Sequence, residues 1–178
     1  MKSRINNLTL CALFTAMIAV CAQLTIPFAV PFTMQSFAIY LSLLCIGAKR
    51  TAASTLCYLA LGILGVPVFS AFRGGVQVLF QISGGFLIGF LLMIGVFAFL
   101  LRCFPKGNVA VCLFAATLPC YALAVVWYFL VLGVKANYFS VMKAFACCVF
   151  PFLIPDVLKI LLAVTVSKKV KKLLPILR

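Results

Sequence analysis

Asp156 and Lys159 are the residues in this sequence with the clearest chemical potential. Asp156 is the only acidic residue among 178, whereas Lys and Arg together number 15. Both residues lie in the apolar stretch PFLIPDVLKILL at 151–162. Residues three apart share one face of a helix, so the carboxylate and the ammonium are expected to lie side by side. Because charges in apolar surroundings are costly unless they are paired or meet a polar guest, we interpret the pair as part of a ligand pocket.

Two other interpretations of the pair stay open. It could be a buried ion pair that locks its helix to a neighbouring helix. It could also relay protons, although a relay usually needs several titratable groups and the chain has no His and no Glu. Pro155 lacks an N–H and is expected to kink the helix just before the carboxylate, which frees a backbone carbonyl nearby.

Catalytic chemistry has little support in the sequence. Without His or a second acid, no Ser/His/Asp set and no HExxH zinc motif can form. The phosphate-binding pattern GxxxxGK[ST] is absent, and the nine Cys form no C-x-x-C. We therefore predict that the chain is not an enzyme and holds neither a metal nor a cofactor.

Composition places the chain in a membrane. Hydrophobic residues make up 67% of it and charged residues 9%, far from the roughly 45–50% and 25% of soluble domains. The net charge of +14 would suggest nucleic acid in a soluble protein. Here most basic residues flank apolar segments, where they orient helices and meet anionic lipid. The expected partner is therefore the lipid bilayer and not nucleic acid.

Six apolar segments predict an all-α membrane protein with six transmembrane helices in one domain, residues 1–178. The segments cover about 8–26, 36–48, 51–65, 84–101, 109–134 and 142–167. The first could pass for a signal peptide, but the segments that follow favour a retained helix. The second and third are shorter than the roughly 20 residues that a span needs. Either flanking residues extend them or neither crosses fully.

The basic residues predict the orientation. With six alternating helices, one side receives eleven of them: Lys2, Arg4, Lys49, Arg50, Arg102, Lys106, Lys168, Lys169, Lys171, Lys172 and Arg178. The other side receives Arg73, Lys135 and Lys143. We therefore expect a multi-pass protein of the bacterial plasma membrane with both termini in the cytoplasm.

Two connections on the outer side are unusually apolar. Loop 1, at 25–35, contains two prolines, and loop 3, at 65–85, is interrupted by a proline and several glycines. Non-helical backbone survives near a bilayer only when it is buried in protein or lines a cavity. We expect both loops to fold inward over a site on the outer side. The alternative is a loose apolar loop lying on lipid.

Small residues indicate where helices approach closely. Ala12, Ala16 and Ala19 repeat along one face of the first helix, where either an internal helix or a separate protein could pack. Gly85 and Gly89 form a GxxxG pattern, for which packing inside the bundle is the expected role.

Four stretches together resemble a known family. They are VPFTMQ at 30–35, LGILGVPVFSAFRGG at 61–75, GGFLIGF at 84–90 and PFLIPDVLK at 151–159. The chain resembles the BioY family in the order and spacing of these stretches. Members of that family are the biotin-specific substrate-binding subunits (S components) of energy-coupling factor (ECF) vitamin transporters. The resemblance spans nearly the whole chain.

The resemblance implies a biotin pocket on the outer side, capped by loops 1 and 3. It implies that Asp156 and Lys159 hold biotin and that the Ala12, Ala16 and Ala19 stripe docks on a transmembrane coupling subunit driven by two ATPase subunits. Further substrate-binding candidates are Thr33, Gln35, Phe69, Gly74, Gly75, Ser83, Gly84, Gly85 and Phe86, and Trp127 is a candidate for the apolar wall.

One segment departs from the family pattern. Where many members read something like GPTGGY, this chain reads QISGGF at 81–86. Ser83 keeps a hydroxyl, whereas Phe86 loses one. Gln81 could restore a hydrogen bond to the ligand.

The sequence leaves other functions open. The chain could be an S component for another small vitamin, or a solitary carrier coupled to protons through Asp156. It could also be a membrane scaffold without transport activity, in which case no cavity is expected beside Asp156.

Overall fold

Helices dominate the computed structural model, which describes residues 2–26, 32–133 and 138–173. The helices are α1 Lys2–Gln23, α2 Gln35–Ile46, α3 Ala48–Ile63, α4 Gly84–Cys103, α5 Val109–Leu132, α6 Tyr138–Cys148 and α7 Phe150–Leu173. Only Val149 separates α6 from α7, so these two correspond to the sixth predicted segment. The predicted all-α class and the six helical segments are confirmed.

Four stretches of helix are long and apolar enough to cross a membrane: Ile5–Gln23, Gly84–Cys103, Val109–Val131 and Ser140–Lys172. The helices α2 and α3 have 12 and 16 residues. At 1.5 Å per residue they extend about 18 and 24 Å, less than the hydrocarbon thickness of about 30 Å. Flanking residues do not lengthen them as helix, so neither crosses a bilayer by helix alone.

The short helix α2 lies inside the bundle. Ten of its twelve residues are buried, among them Ile39, Tyr40 and Ser42. It packs against α1, α3, α4 and α7. A helix that is apolar on all sides is stable when other helices surround it, so α2 does not need a length that matches the membrane.

Contacts between helices fix their relative directions. Thr15 of α1 donates a hydrogen bond to the carbonyl of Ser54 in α3 (3.1 Å), and Cys11 lies one turn earlier beside the carbonyl of Arg50 (3.7 Å). The two helices therefore run parallel. On α4 and α5 the close approaches are Gly85 to Ala124 and Gly89 to Cys120, so those helices run antiparallel. The GxxxG pattern thus packs inside the bundle, as predicted.

The described part of loop 1 contains a short antiparallel pair of strands, β1 Thr25–Ile26 and β2 Phe32–Thr33. Thr25 pairs with Thr33 and Ile26 with Phe32. The Met34 amide donates to the carbonyl of Leu24 at 3.2 Å, which closes the base of the loop. The turn at 27–31 lies outside the described residues.

Loop 3 folds through two short 3-10 turns, Ser70–Phe72 and Val76–Val78. The backbone forms a tight turn between Phe69 and Arg73, in which Ala71 and Phe72 have φ angles of 59° and 55°. Non-glycine residues rarely occupy this left-handed region, and side-chain hydrogen bonds from two helices hold the loop in place.

Those hydrogen bonds come from Gln23 at the end of α1 and Trp127 on α5. The Gln23 amide donates to the carbonyls of Val68 (3.2 Å) and Phe69 (3.1 Å) and accepts from the Phe72 amide (2.9 Å). The Trp127 indole N–H lies 3.1 Å from the carbonyl of Leu79, near the other end of the loop. The loop is therefore fastened to the bundle at both ends.

Candidate functional site

Asp156 and Lys159 form a buried ion pair on α7. The Lys159 Nζ lies 3.0 Å from Asp156 Oδ1, and the two residues are each 4% exposed. Their spacing places both on one helix face, as predicted. Pro155 lies in the helix immediately before the carboxylate and donates no backbone hydrogen bond, so the carbonyl one turn earlier lacks its usual donor.

Two hydroxyls from other helices complete the coordination of the carboxylate. Ser36 on α2 donates to Asp156 Oδ1 at 3.1 Å, and Tyr121 on α5 donates to Asp156 Oδ2 at 2.6 Å. Among the described residues, the carboxylate therefore accepts three hydrogen bonds, counting that from Lys159. Hydrogen bonds to a charged group stabilise it more than neutral ones do, which offsets part of the cost of burial.

The ammonium of Lys159 is similarly surrounded. It donates to the Thr33 carbonyl (2.8 Å), to Ser36 Oγ (2.9 Å) and to Asp156 Oδ1 (3.0 Å). Its Nζ also lies 4.0 Å from the centre of the Phe32 ring, a cation–π distance. The three N–H donors of the ammonium match these three acceptors.

A cavity lies beside the ion pair. Seven of the residues predicted for the substrate site line it: Thr33, Gln35, Phe69, Ser83, Phe86, Asp156 and Lys159. The space between the side chains is small, about 50 Å³. A ligand larger than a few water molecules therefore enters only if the lining side chains or a loop move outward. The presence of the cavity also disfavours a membrane scaffold.

Gln35, which lines this cavity, has a hydrogen-bond donor without a partner. The residue is 4% exposed, and its side-chain Nε2 has no hydrogen-bond partner among the described residues. A buried donor without a partner is costly, so Gln35 Nε2 stays a candidate donor to a ligand.

Aromatic rings form one wall of the cavity. Phe86 lies 5.2 Å from Phe152 and 6.4 Å from Tyr121 between ring centres. Phe69 lies elsewhere on the wall, with its ring edge against Tyr58 at 5.6 Å. Rings in these geometries provide a rigid apolar surface for an apolar part of a ligand.

The four glycines proposed as substrate contacts do not line the cavity, and each allows close packing instead. A Cβ at Gly74 would meet the carbonyl of Val66 at 2.6 Å, and one at Gly84 would collide with the carbonyl of Leu79. Gly75 has φ of +94° and donates to the carbonyl of Gly62 at 2.7 Å.

The fourth of them, Gly85, permits the contact with Trp127 and Ala124 on α5. These glycines therefore shape the loop and the start of α4 behind the cavity wall. A direct contact of their backbone with a ligand stays a prediction.

Two other candidates do not line the cavity in this structure, and their contact with a ligand stays a prediction. Trp127 does not line the cavity, because its indole is bonded to the backbone of loop 3. The Gln81 carboxamide also lies away from it and accepts a 2.6 Å hydrogen bond from Arg73. The Arg73 guanidinium is bonded in addition to the carbonyl of Ser70 at 3.0 Å, which makes Gln81 part of the loop structure.

The alanine stripe lies at the surface of α1. Ala12 and Ala16 are exposed and Ala19 is half-buried. Gln23 continues the same row but binds loop 3 of its own chain. Ala12 and Ala16 are therefore accessible to a molecule outside this chain, whereas Gln23 makes an internal contact.

Several cavity residues were missed in the sequence. Ser36 and Tyr121 bind the carboxylate directly, and the lining also includes Tyr40, Ser70, Val78, Leu87, Phe90, Met93, Thr117, Cys120 and Phe152. A useful signal was available for two of them, because a buried carboxylate requires donors and hydroxyls on neighbouring helices are the natural source.

Comparison with known proteins agrees with this geometry. The model of the BioY family matches residues 1–176. The chain belongs to the BioY family. A biotin transporter BioY from Thermotoga maritima is 34% identical over 162 residues, which cover 90% of this chain and 93% of the relative. A probable biotin transporter BioY from Pyrococcus horikoshii is 31% identical over 168 residues, covering 93% and 96%.

The fold of this BioY-family chain also matches a crystal structure. The S-component for biotin from an ECF-type ABC transporter superposes with a TM-score of 0.81, covering 96% of this chain and 93% of that protein at 22% identity. The membrane fold of an S component is thereby confirmed. BioY relatives are transporters rather than enzymes, which agrees with the prediction that this chain catalyses no reaction.

Proposed function

We propose that this chain captures biotin at the outer face of a bacterial plasma membrane and mediates its uptake with an ATP-driven ECF module. One observation carries the proposal: the buried Asp156–Lys159 pair lines a cavity that is also lined by Gln35, whose side-chain Nε2 has no partner among the described residues. This site occurs in a chain of the BioY family whose relatives are biotin transporters.

The chemistry of biotin suits these groups. Its ureido ring has two N–H donors and a carbonyl, its second ring is an apolar thioether, and its tail ends in a carboxylate. Asp156 suits the N–H donors, while Gln35 and Lys159 suit the oxygens. Phe86 and Phe69 supply apolar surface for the thioether ring.

Binding requires an exchange of hydrogen bonds at the pair. The three donors of Lys159 already have acceptors, so a ligand oxygen must replace Ser36 or the Thr33 carbonyl to reach the ammonium. Asp156 Oδ2 accepts from Tyr121 and keeps a second lone pair for a ligand N–H. Gln35 needs no exchange, because its amide has no partner to lose among the described residues.

Loops 1 and 3 act as the cover of this site. Thr33, at the end of β2, and Phe69, in loop 3, both line the cavity, so each loop supplies part of its wall. A cavity of about 50 Å³ is smaller than biotin, so we expect one loop to move outward when the ligand enters.

The remaining expectations belong to the same proposal. The chain acts as a single transmembrane domain, residues 1–178, with both termini in the cytoplasm, in keeping with its basic residues. The exposed Ala12 and Ala16 dock on a transmembrane coupling subunit, which two ATPase subunits drive.

A binding assay tests the capture step. We would purify the full chain in detergent and measure biotin affinity by calorimetry for the wild type, Asp156→Asn, Lys159→Ala and the surface control Lys49→Ala. We expect binding in the wild type and the control and a loss of at least about tenfold in the two site variants, because each removes a charged hydrogen-bond partner. A wild type that does not bind biotin contradicts the proposal.

An uptake assay tests the coupling step. Radiolabelled biotin uptake would be measured in cells with and without an ECF module, each with and without an uncoupler. Uptake that depends on the module supports the proposal. Uptake that persists without the module and collapses with the uncoupler indicates instead a solitary proton-coupled carrier.

A further inference from the structure

A second depression lies on the outside of the bundle, between α5 and α7. Its lining is apolar: Ala110, Val111, Phe114, Val157, Ile160 and Leu161. Ile160 is buried and forms the floor, whereas Val111 and Leu161 are 62% and 53% exposed at the rim. The groove has a volume of about 200 Å³. Water finds almost no polar partner there, so an apolar chain is the better occupant.

The packing of α5 explains why the groove exists. Gly89 brings α4 against Cys120 of α5, and this close approach would be lost with any side chain at the glycine. Ala110 lies ten residues earlier, about 15 Å along α5, where the helix also meets α7. Because α5 packs closely on α4, a gap remains between α5 and α7, and the small side chain of Ala110 does not fill it.

Basic residues follow the groove residues in the direction of one end of the bundle. One side of α7 carries Val157, Leu161 and Lys168. They are separated by four and then seven residues, which is close to one and two turns of helix. Lys168 lies about 10 Å beyond Leu161 along the axis. Lys106 is in the short connection that precedes α5, and both lysines are exposed.

No carboxylate side chain of this chain neutralises these lysines. Asp156 is the only acidic residue in the sequence, and it is bonded to Lys159 inside the bundle. The excess of 14 positive charges therefore requires anions from outside. At a membrane boundary the nearest anions beside an apolar groove are lipid phosphates.

We propose that the groove between α5 and α7 binds an anionic phospholipid, with one acyl chain on Ile160 and the phosphate between Lys106 and Lys168. The lipid continues the apolar surface of the bundle and supplies the missing negative charge. The site is separate from the cavity, because Ile160 faces the groove while Lys159 faces the interior.

Lipid titration tests the site on the full chain in detergent. Phosphatidylglycerol, phosphatidylcholine and inorganic phosphate would be added separately, with the melting temperature and the retained lipid in native mass spectrometry as readouts. We expect phosphatidylglycerol to raise the melting temperature and to remain bound, phosphatidylcholine to do so less, and phosphate alone to have no effect. Equal effects of the two lipids, or an equal effect of phosphate alone, overturn the proposal.

Matched variants locate the site. Lys168→Gln should weaken phosphatidylglycerol binding about fivefold, the effect of one basic residue at a lipid surface. Lys49→Gln removes the same charge on α3, which packs on α1, α2 and α4, and should retain wild-type binding. Ala110→Phe fills the groove and should reduce retention of both lipids.

If Ala110→Phe does not yield a monodisperse protein, Val111→Phe at the exposed rim replaces it. Unchanged lipid retention in a folded groove-filling variant, or an equal loss in Lys49→Gln and Lys168→Gln, overturns the assignment. The second outcome would indicate diffuse attraction to the basic surface.

Discussion

Tyr121 on α5 donates a 2.6 Å hydrogen bond to Asp156 on α7, which makes it the shortest of the three bonds that the carboxylate accepts. This bond joins two helices across the cavity, and Tyr121 also lines the cavity next to the ring of Phe86. The tyrosine therefore orients the carboxylate and shapes the aromatic wall at the same time.

Replacing this tyrosine should separate the two roles. Tyr121→Phe keeps the ring but removes the donor, and a hydrogen bond to a charged group contributes about 1.5–3 kcal/mol. We expect biotin affinity to fall roughly tenfold to a hundredfold. Tyr128→Phe is the control, because Tyr128 is on the same helix and is buried away from the cavity. Calorimetry on both variants checks this, and equal affinities would contradict the role of Tyr121.

Gln35 offers a test of ligand recognition without loss of stability. Its Nε2 has no partner among the described residues, so Gln35→Leu removes a costly buried donor and should leave the melting temperature unchanged or higher. Biotin affinity should nevertheless fall about tenfold, because the donor meets a ligand oxygen. A variant that melts earlier but binds biotin normally would show that Gln35 is structural.

Replacing one partner of the ion pair should lower the stability of the protein more than replacing both. Asp156→Asn leaves an uncompensated ammonium in the bundle, and breaking a buried pair in this way costs about 3–5 kcal/mol. Replacing the pair with Asp156→Asn and Lys159→Met together should restore much of the stability while binding stays lost. Chemical denaturation of the two single variants and the double variant measures the coupling. Additive losses would argue that the two charges act independently.

Gly62 should affect the shape of the cavity, because it leaves room for the ring of Phe69. A Cβ at this position would collide with the Phe69 ring, which is 1% exposed and lines the cavity. We expect Gly62→Ala to displace the ring and to lower both stability and biotin affinity. Gly95→Ala is the matched control, since none of the described residues comes within 4 Å of its added methyl group, and it should stabilise α4 by up to about 1 kcal/mol. Thermal melts and binding measurements on both proteins check the contrast.

The sequence predicts most of the helices because hydrophobic length is a local property. The limits of α4 and α5 agree with the predicted segments within a few residues, and α2 and α3 are as short as expected. The interruption at Val149 was not predicted, since both sides of it are equally apolar. The central position of α2 also depends on contacts with four other helices, which no local pattern contains.

The site shows the same difference between features that a local pattern contains and features that depend on contacts between helices. Asp156 and Lys159 are visible in the sequence because charges are rare in apolar segments. For Ser36 and Tyr121 the sequence predicts only that some hydroxyls must reach the buried carboxylate, not which ones, because hydroxyls are common and the fold decides which of them meet it. The glycines near loop 3 were placed at the ligand by resemblance; the structure shows their role in close packing, and their contact with a ligand stays a prediction.

The mutual neutralisation of Asp156 and Lys159 has an electrical consequence. Moving one elementary charge through a membrane potential of 100 mV involves about 2.3 kcal/mol. Because the pair carries no net charge, the membrane potential adds almost nothing to the cost of its burial in the empty protein. An anionic ligand bound beside the pair would add one charge within the membrane, so we expect its affinity to depend on the potential, whereas that of a neutral ligand should not.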